Sequence, residues 1–297
     1  MFKNLTIYRL RSILPTSNAV NHALTQYAFA PCAATQEKSV GFVPPRGHEH
    51  GALLEVVHNQ WMIQLRSETK VLPTSVIKRK VQTEIDAIEA TTGRKPGKKE
   101  RRTLMDDARL ALLPQAFTKE ANVQVWIDPE ARFLCTDAGS QAKADDVMTW
   151  LIKAVHGLEV QLLNTQTSPA AAMAHWLGMH DVPAGFSVDR ECELKATDES
   201  RAVVRYARHP LDTEEVSQHI ALGKMPTRLA MTWQDSISFV LTESLQLKKL
   251  VFINHAEAES AKGDGEEDAF DANVVLLTAE LEKLIPDLIE ALGDEQP

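Results

Sequence analysis

The sequence is poor in cysteine, in aromatic residues and in long apolar runs. Three cysteines occur among 297 residues, at Cys32, Cys135 and Cys192, and three widely spaced thiols indicate a reducing compartment rather than a disulfide framework. No apolar run approaches the roughly 20 residues that a membrane helix requires. Basic residues within the first eleven positions are not followed by an apolar signal-peptide core. We therefore expect a cytoplasmic protein with no membrane partner.

The sequence also lacks the short motifs that mark common catalytic sites. It contains no Gly-x-Ser-x-Gly, no His-Glu-x-x-His and no Gly-x-Gly-x-x-Gly. The loop from Gly93 to Lys99 is the nearest approach to a phosphate-binding loop, but three residues separate its glycines and Lys99 stands where Ser or Thr is required. We predict that the protein binds no nucleotide and no other cofactor, and that it has no catalytic residue.

Histidines and paired carboxylates give little indication of a metal site. His50 lies in a loop next to a glycine, and Asp106 and Asp107 stand near a predicted helix start, where carboxylates favour the helix dipole. Nothing in their spacing supplies a third ligand. We predict no metal. The three residues remain the best candidates for an alternative function, a metal-dependent nuclease.

The net charge of −9 argues at first against a polyanion as partner, but the charge is unevenly distributed. From Val76 to Lys119 there are eleven Lys/Arg against six Asp/Glu, whereas from Asn254 to Pro297 there are two against thirteen. The local potential, and not the total, decides where a polyanion docks. The chain therefore combines a basic middle with an acidic end.

The basic middle has the pattern of two amphipathic helices joined by a short loop over residues 74–114. Glycines and a proline in the loop Thr91 to Lys99 favour a turn, so the pattern predicts an antiparallel helical hairpin. The apolar positions on the inner helix faces are Ile77, Val81, Ile85 and Ile88, then Leu104, Ala108, Ala111 and Leu112. Six cations around the tip suit phosphate contacts without base specificity; they are Arg94, Lys95, Lys98, Lys99, Arg101 and Arg102.

Phe117 stands where this hairpin returns to the predicted sheet. A single phenylalanine is usually a core residue. The functional alternative is a projecting aromatic side chain that docks into a partner subunit. The sequence leaves both open.

Elsewhere, alternating and helical patterns predict an α+β protein with mostly antiparallel strands. Residues 1–73 and 115–165 form a first α+β region, 74–114 a helical finger, and 166–297 a second α+β region with a C-terminal helix. Prolines and a glycine between Thr165 and Ser187 mark the predicted boundary.

The ordered set of short stretches along the chain resembles the recombination-associated protein RdgC family of bacteria over essentially its full length. The matching stretches are Phe2–Leu5, Tyr8–Leu10, Gly41–Pro45, Leu72–Pro73, Val76–Lys78, Leu112–Phe117, Trp126–Asp128, Gly223–Lys224, Thr227, Leu229–Ala230, Trp233 and Phe270–Ala272. The resemblance implies a ring-shaped homodimer that encircles double-stranded DNA with little sequence preference. It implies restraint of RecA-mediated recombination by occupying DNA, a nucleoid location and no catalysis.

The resemblance also assigns residues. It implies that Phe117 engages the partner subunit at the finger base and that Lys224, with Arg228 nearby, lines the hole. Gly97 replaces an expected cation at the tip, and Pro226 and Pro286 interrupt segments expected to be regular.

A third functional hypothesis stays open besides occlusion of DNA and nuclease activity. In it, the acidic segment His255 to Asp268 is a protein-interaction module that acts directly on RecA as a DNA mimic.

Overall fold

The computed structural model describes residues 2–253 and 266–296, and these form an α+β structure around one large antiparallel sheet. Hydrogen-bonded neighbours run in the order β2-β4-β5-β6-β1-β12-β11-β10-β8-β9, with β3 added to β4 and β7 to β1. The strands are β1 (Asn4–Leu10), β2 (Lys38–Val43), β3 (Leu54–Val57), β4 (Gln60–Val71), β5 (Phe117–Asp128), β6 (Phe133–Thr136), β7 (Val160–Leu162), β8 (Phe186–Ala196), β9 (Val203–Ala207), β10 (Lys224–Trp233), β11 (Ile237–Thr242) and β12 (Gln246–Phe252). The helices are α1 (Ser17–Thr25), α2 (Thr74–Thr92), α3 (Lys98–Leu112), α4 (Gln141–Ala154), α5 (Pro169–Met179), α6 (Glu214–Ala221) and α7 (Glu266–Ala291). The predicted α+β class is confirmed.

Strand β1 joins the two halves of the sheet and separates two hydrophobic cores. It pairs with β6 on one side and β12 on the other. Leu5 and Ile7 belong to the core that contains α5 and α7, whereas Tyr8 and Leu10 belong to the core that contains α1 and α4. Because successive strand residues point to opposite faces, the two cores lie on opposite faces of β1.

Helices α2 and α3 pack on each other around a small core of their own. Ile77, Val81, Ile85 and Ala108 are buried there, and Leu104 and Leu112 pack against them. Gly93, in the left-handed conformation, ends α2, and α3 begins five residues later. The predicted helical pair and most of its apolar stripe are confirmed, although Ala111 is exposed.

The segment between Thr165 and Ser187, in which the sequence predicts a boundary, contains helix α5. Pro169 occupies the first position of that helix, where a backbone N–H would have no partner within the helix and proline is therefore tolerated. Met173, Trp176 and Leu177 of the same helix are buried in the core. Pro169 therefore marks the start of a helix. The division into two α+β regions itself stays a prediction.

Two prolines expected to interrupt regular segments have different effects. Helix α7 continues through Pro286: burying Leu284, Ile285 and Leu288 contributes about 1.5–3 kcal/mol each, against a proline cost of about 3 kcal/mol. Strand β10 contains Pro226, with a register shift directly after it, and pairs with β11 only from Arg228 onward. The missing N–H is therefore tolerated in both places.

Gly41 on β2 provides a sharp test of this packing. A Cβ built there would lie 2.5 Å from the Cα of Phe29, because the backbone around Ala28 pairs with Phe42, the residue after Gly41. We expect Gly41→Ala to lower the free energy of unfolding in urea by about 3 kcal/mol or more, since backbone cannot yield as a side chain can. Gly97→Ala, where nothing lies within 4 Å, is the matched control, and an equal effect of both would contradict this account.

Candidate nucleic-acid interface

The six predicted tip cations fall into two groups. Lys98, Lys99 and Arg102 are exposed on the first turns of α3, and within the described part of the chain none has a salt-bridge partner. The other three are engaged. Arg94 makes two hydrogen bonds to Glu100, at 2.8 and 3.2 Å, the Lys95 ammonium lies 3.6 Å from Glu89, and Arg101 donates to the Pro96 carbonyl at 3.0 Å.

The Arg94–Glu100 pair crosses the tip loop. Hydrogen bonding from Arg94 lowers the pKa of Glu100, and the same contact raises that of Arg94. Both side chains are solvent-exposed, so the pair contributes little stability. The pair does neutralise one tip cation. Arg94 and Glu100 are six residues apart, whereas ion pairs within a helix are predicted from sequence at a separation of three or four residues.

Lys224, predicted to line a hole, and Arg228, predicted to lie near it, are both on β10. The half-buried Lys224 ammonium is 2.8 Å from Nδ1 of His219. Arg228 is exposed and points away from the core formed by its neighbours Leu229 and Met231. The structure thus gathers the tip cations on one helical pair and these two on a separate strand.

The phenol of Tyr206, whose ring lies next to His219, is buried and makes the stability of the fold depend on pH in the alkaline range. Burial, and then a hydrogen bond to Glu215, raise the pKa of Tyr206 from 10.0 to about 12. A phenol whose pKa is raised by folding favours the folded state only while it is protonated. We expect the free energy of unfolding to fall as pH rises from about 10 to about 12, and Tyr206→Phe to reduce that slope. An unchanged slope in urea titrations of the variant would contradict this.

Phe117 begins β5, opposite Val71 of β4, and its side chain is 87% exposed. Val71 is 47% exposed. The core-residue reading therefore does not apply to the single chain, which leaves a large apolar side chain in solvent at the base of the helical pair. Exposed aromatics of this kind are enriched at protein interfaces.

The candidates for a metal or thiol site do not come together. His50 precedes β3, whereas Asp106 and Asp107 are exposed on α3. Among residues 2–253 and 266–296 no three His, Cys, Asp or Glu side chains could hold one metal ion. Burial raises the pKa of the Cys135 and Cys192 thiols, the latter to about 12, which keeps them protonated and unreactive.

These features define an α+β protein built on one antiparallel sheet, with a basic helical pair and an exposed aromatic residue at its base. The chain belongs to the RdgC family: the model for that family, described as "Putative exonuclease, RdgC", matches residues 1–295. It is 43% identical over 303 residues to the "Recombination-associated protein RdgC" of Dechloromonas aromatica, covering 99% of this chain and 98% of that protein. Proteins of the same name from Herminiimonas arsenicoxydans and Bordetella pertussis are 44% and 38% identical, with 99% of this chain covered in both and 98% and 99% of those proteins.

In the described residues no helix is long and apolar enough to span a bilayer.

Proposed function

We propose that this protein binds double-stranded DNA without reading its sequence, encircles it as a ring-shaped homodimer, and restrains RecA-mediated recombination by occluding the DNA. The observation that carries the proposal is the group of exposed cations at the tip of α2 and α3 that have no salt-bridge partner in the described residues, in a member of a recombination-associated family. Its site of action is the nucleoid, in the cytoplasm.

The charge distribution supports this binding mode. Lysine and arginine side chains without carboxylate partners bind phosphates and release counterions, a term that does not depend on base sequence. Lys98, Lys99 and Arg102 have no carboxylate partner among the described residues and are available for such contacts, and Lys224 and Arg228 add cations on β10. A basic inner wall and an acidic exterior reconcile DNA binding with a net charge of −9.

Ring closure would use Phe117. An apolar side chain that is 87% exposed in one chain stabilises an assembly when a partner covers it. In the ring, the finger is α2 with α3, and Phe117 at its base docks into the second subunit.

We further propose that the protein is not an enzyme. The relatives are named as recombination-associated proteins, while the family description reads "Putative exonuclease", so catalysis needs its own experiment. Purified protein incubated with magnesium and plasmid should leave the plasmid intact, and nicking that His50→Ala or Asp106→Ala abolishes would overturn this part. The alternative of an acidic DNA mimic rests on His255 to Asp268. Residues 255–265 of this segment, and the side chains of residues 266–268, lie outside the part of the chain that the structure describes.

The deciding experiment is equilibrium binding to two unrelated linear duplexes across a salt series, by fluorescence anisotropy. We expect equal affinities and a linear fall of log K with log salt, with a slope of about 0.9 for each phosphate that the protein neutralises. Failure to bind either duplex at low salt would overturn the proposal.

A further inference from the structure

One face of β4 and β5 is buried at one end and open at the other. Along β5, Val125 and Ile127 are buried in the core beneath α4, whereas Lys119 and Ala121, on the same face, lie beyond that core. Cross-strand pairing places Thr69 opposite Lys119 and Ser67 opposite Ala121. The sheet face therefore continues past the helix that covers it.

The open part of this face is a groove of about 270 Å³ between the sheet and the first turns of α4. Apolar side chains form its floor and lysines its rim. Its floor and sides are Val40, Leu65, Ser67, Thr69, Ala121, Val123 and Val147. Its rim is Lys38, Lys119, Lys143 and Asp146. We call these residues together the basic groove.

The rim carries an excess of positive charge. Lys38 lies 3.3 Å from Asp146, the one carboxylate among the residues that line the groove. Lys119 and Lys143 are exposed and have no salt-bridge partner in the described part of the chain. Two unneutralised ammonium groups therefore flank an apolar floor that includes the buried side chains Leu65 and Val147.

We infer that the basic groove binds a short acidic peptide segment of another protein, one that carries a large apolar side chain. Carboxylates of the peptide pair with Lys119 and Lys143, which gives electrostatic complementarity and fast association. The apolar side chain covers Val40 and Val123, which supplies the desolvated anchor that such interfaces need. The volume lies below that of ordinary small-molecule sites, and suits one or two side chains.

The two other candidate occupants are a DNA duplex and a second copy of this chain. The sugar–phosphate backbone of a duplex would pair with the lysines but would leave the apolar floor uncovered, whereas the tip cations offer phosphates a protruding surface with no such floor. A second copy of the chain is what the proposed ring places against Phe117, two residues before Lys119 on the same face of β5, so a subunit contact is one of the outcomes of the test below.

The test uses the full-length protein and a fluorescein-labelled synthetic peptide with an acidic N-terminal half and a Leu-Phe C-terminus. Two control peptides separate the contributions: one replaces Leu-Phe by Ser-Ser, and the other replaces every acidic residue by its amide. We expect each control to bind about tenfold more weakly in anisotropy titrations, since each lacks one of the two contributions. Equal binding of all three peptides would overturn the inference.

Variants locate the site. The double charge reversal Lys119→Glu/Lys143→Glu changes exposed side chains only and should reduce peptide affinity at least about tenfold. Ala121→Leu should do the same by filling the floor. Lys283→Glu, an exposed lysine on α7, is the matched control and should bind the peptide like the parent protein. Circular dichroism melts establish which variants fold. If Ala121→Leu does not fold, the double variant Lys119→Glu/Lys143→Glu alone decides the outcome.

The same variants distinguish this inference from the proposed function. We expect them to keep duplex affinity and oligomeric state, and tip variants to keep peptide affinity. A loss of duplex affinity as large as that of tip variants would make the groove a DNA surface, and dissociation of the assembly by Ala121→Leu would make it a subunit contact. Either result would overturn the inference without touching the proposal that the tip binds DNA.

Discussion

Replacing the unpaired tip cations together, in the variant K98A/K99A/R102A, should weaken duplex DNA binding strongly and flatten its salt dependence. These three side chains have no carboxylate partner in the described part of the chain, so each can release counterions from a phosphate. The slope of log K against log salt should fall by about 0.9 for each phosphate that the variant no longer neutralises. The measurement is anisotropy with one duplex between low and physiological salt.

The paired cations provide the control for this prediction. Arg94→Ala/Lys95→Ala removes two charges that Glu100 and Glu89 already partly neutralise, so its effect should be smaller for each charge removed. Glu100→Gln should increase affinity, because it releases the Arg94 guanidinium. Equal slopes for the parent protein and K98A/K99A/R102A would show that DNA does not contact the tip.

Phe117→Ala should weaken the association of subunits while leaving the fold of each chain intact. The side chain is 87% exposed, so its truncation removes little packing within the chain. A buried aromatic anchor at an interface is worth about 2–4 kcal/mol when truncated, which corresponds to roughly 30-fold to 800-fold in the dimer dissociation constant. Sedimentation velocity across a dilution series measures this.

Leu113→Ala, four residues earlier, gives the opposite pattern. Leu113 is 2% exposed, so truncation leaves a cavity and should cost about 2–5 kcal/mol of unfolding free energy. Phe117→Ala should leave the urea midpoint almost unchanged when the protein is dilute enough to be monomeric. A large decrease in the stability of that variant under those conditions would show that Phe117 stabilises the fold of the single chain as a core residue.

Local patterns predicted much of the fold because they report local physics. The spacing of Ile77, Val81 and Ile85 is that of one helix face, and all three are buried as predicted. The alternation of Val123, Val125 and Ile127, followed by the turn residues Asp128-Pro129-Glu130, is typical of a hairpin. Strands β5 and β6 form that hairpin, with Val125 opposite Thr136. The sequence patterns did not identify helix α5, because the prolines and the glycine there are typical of a boundary, although Pro169 begins a helix that the core buries.

The candidate site was predicted in composition but not in electrostatic detail. Sequence identified six tip cations, yet it could not separate Lys98, Lys99 and Arg102 from Arg94 and Lys95. That separation depends on contacts across the loop, with Glu100 and Glu89. It also could not decide between core and surface for Phe117, since the burial of a single aromatic residue depends on how much of its surroundings the rest of the chain covers.

The sequence by itself determined the α+β class, the basic helical pair and the family, because periodicity, charge and residue order are properties of neighbouring positions. Only the tertiary structure decided the single continuous sheet, in which Asn4 of β1 pairs with Lys248 of β12 from the far end of the chain, and the extension of β4 and β5 beyond α4 that opens the basic groove. Long-range pairing and the coverage of a sheet face depend on which surfaces the whole chain brings together, and no local pattern records them.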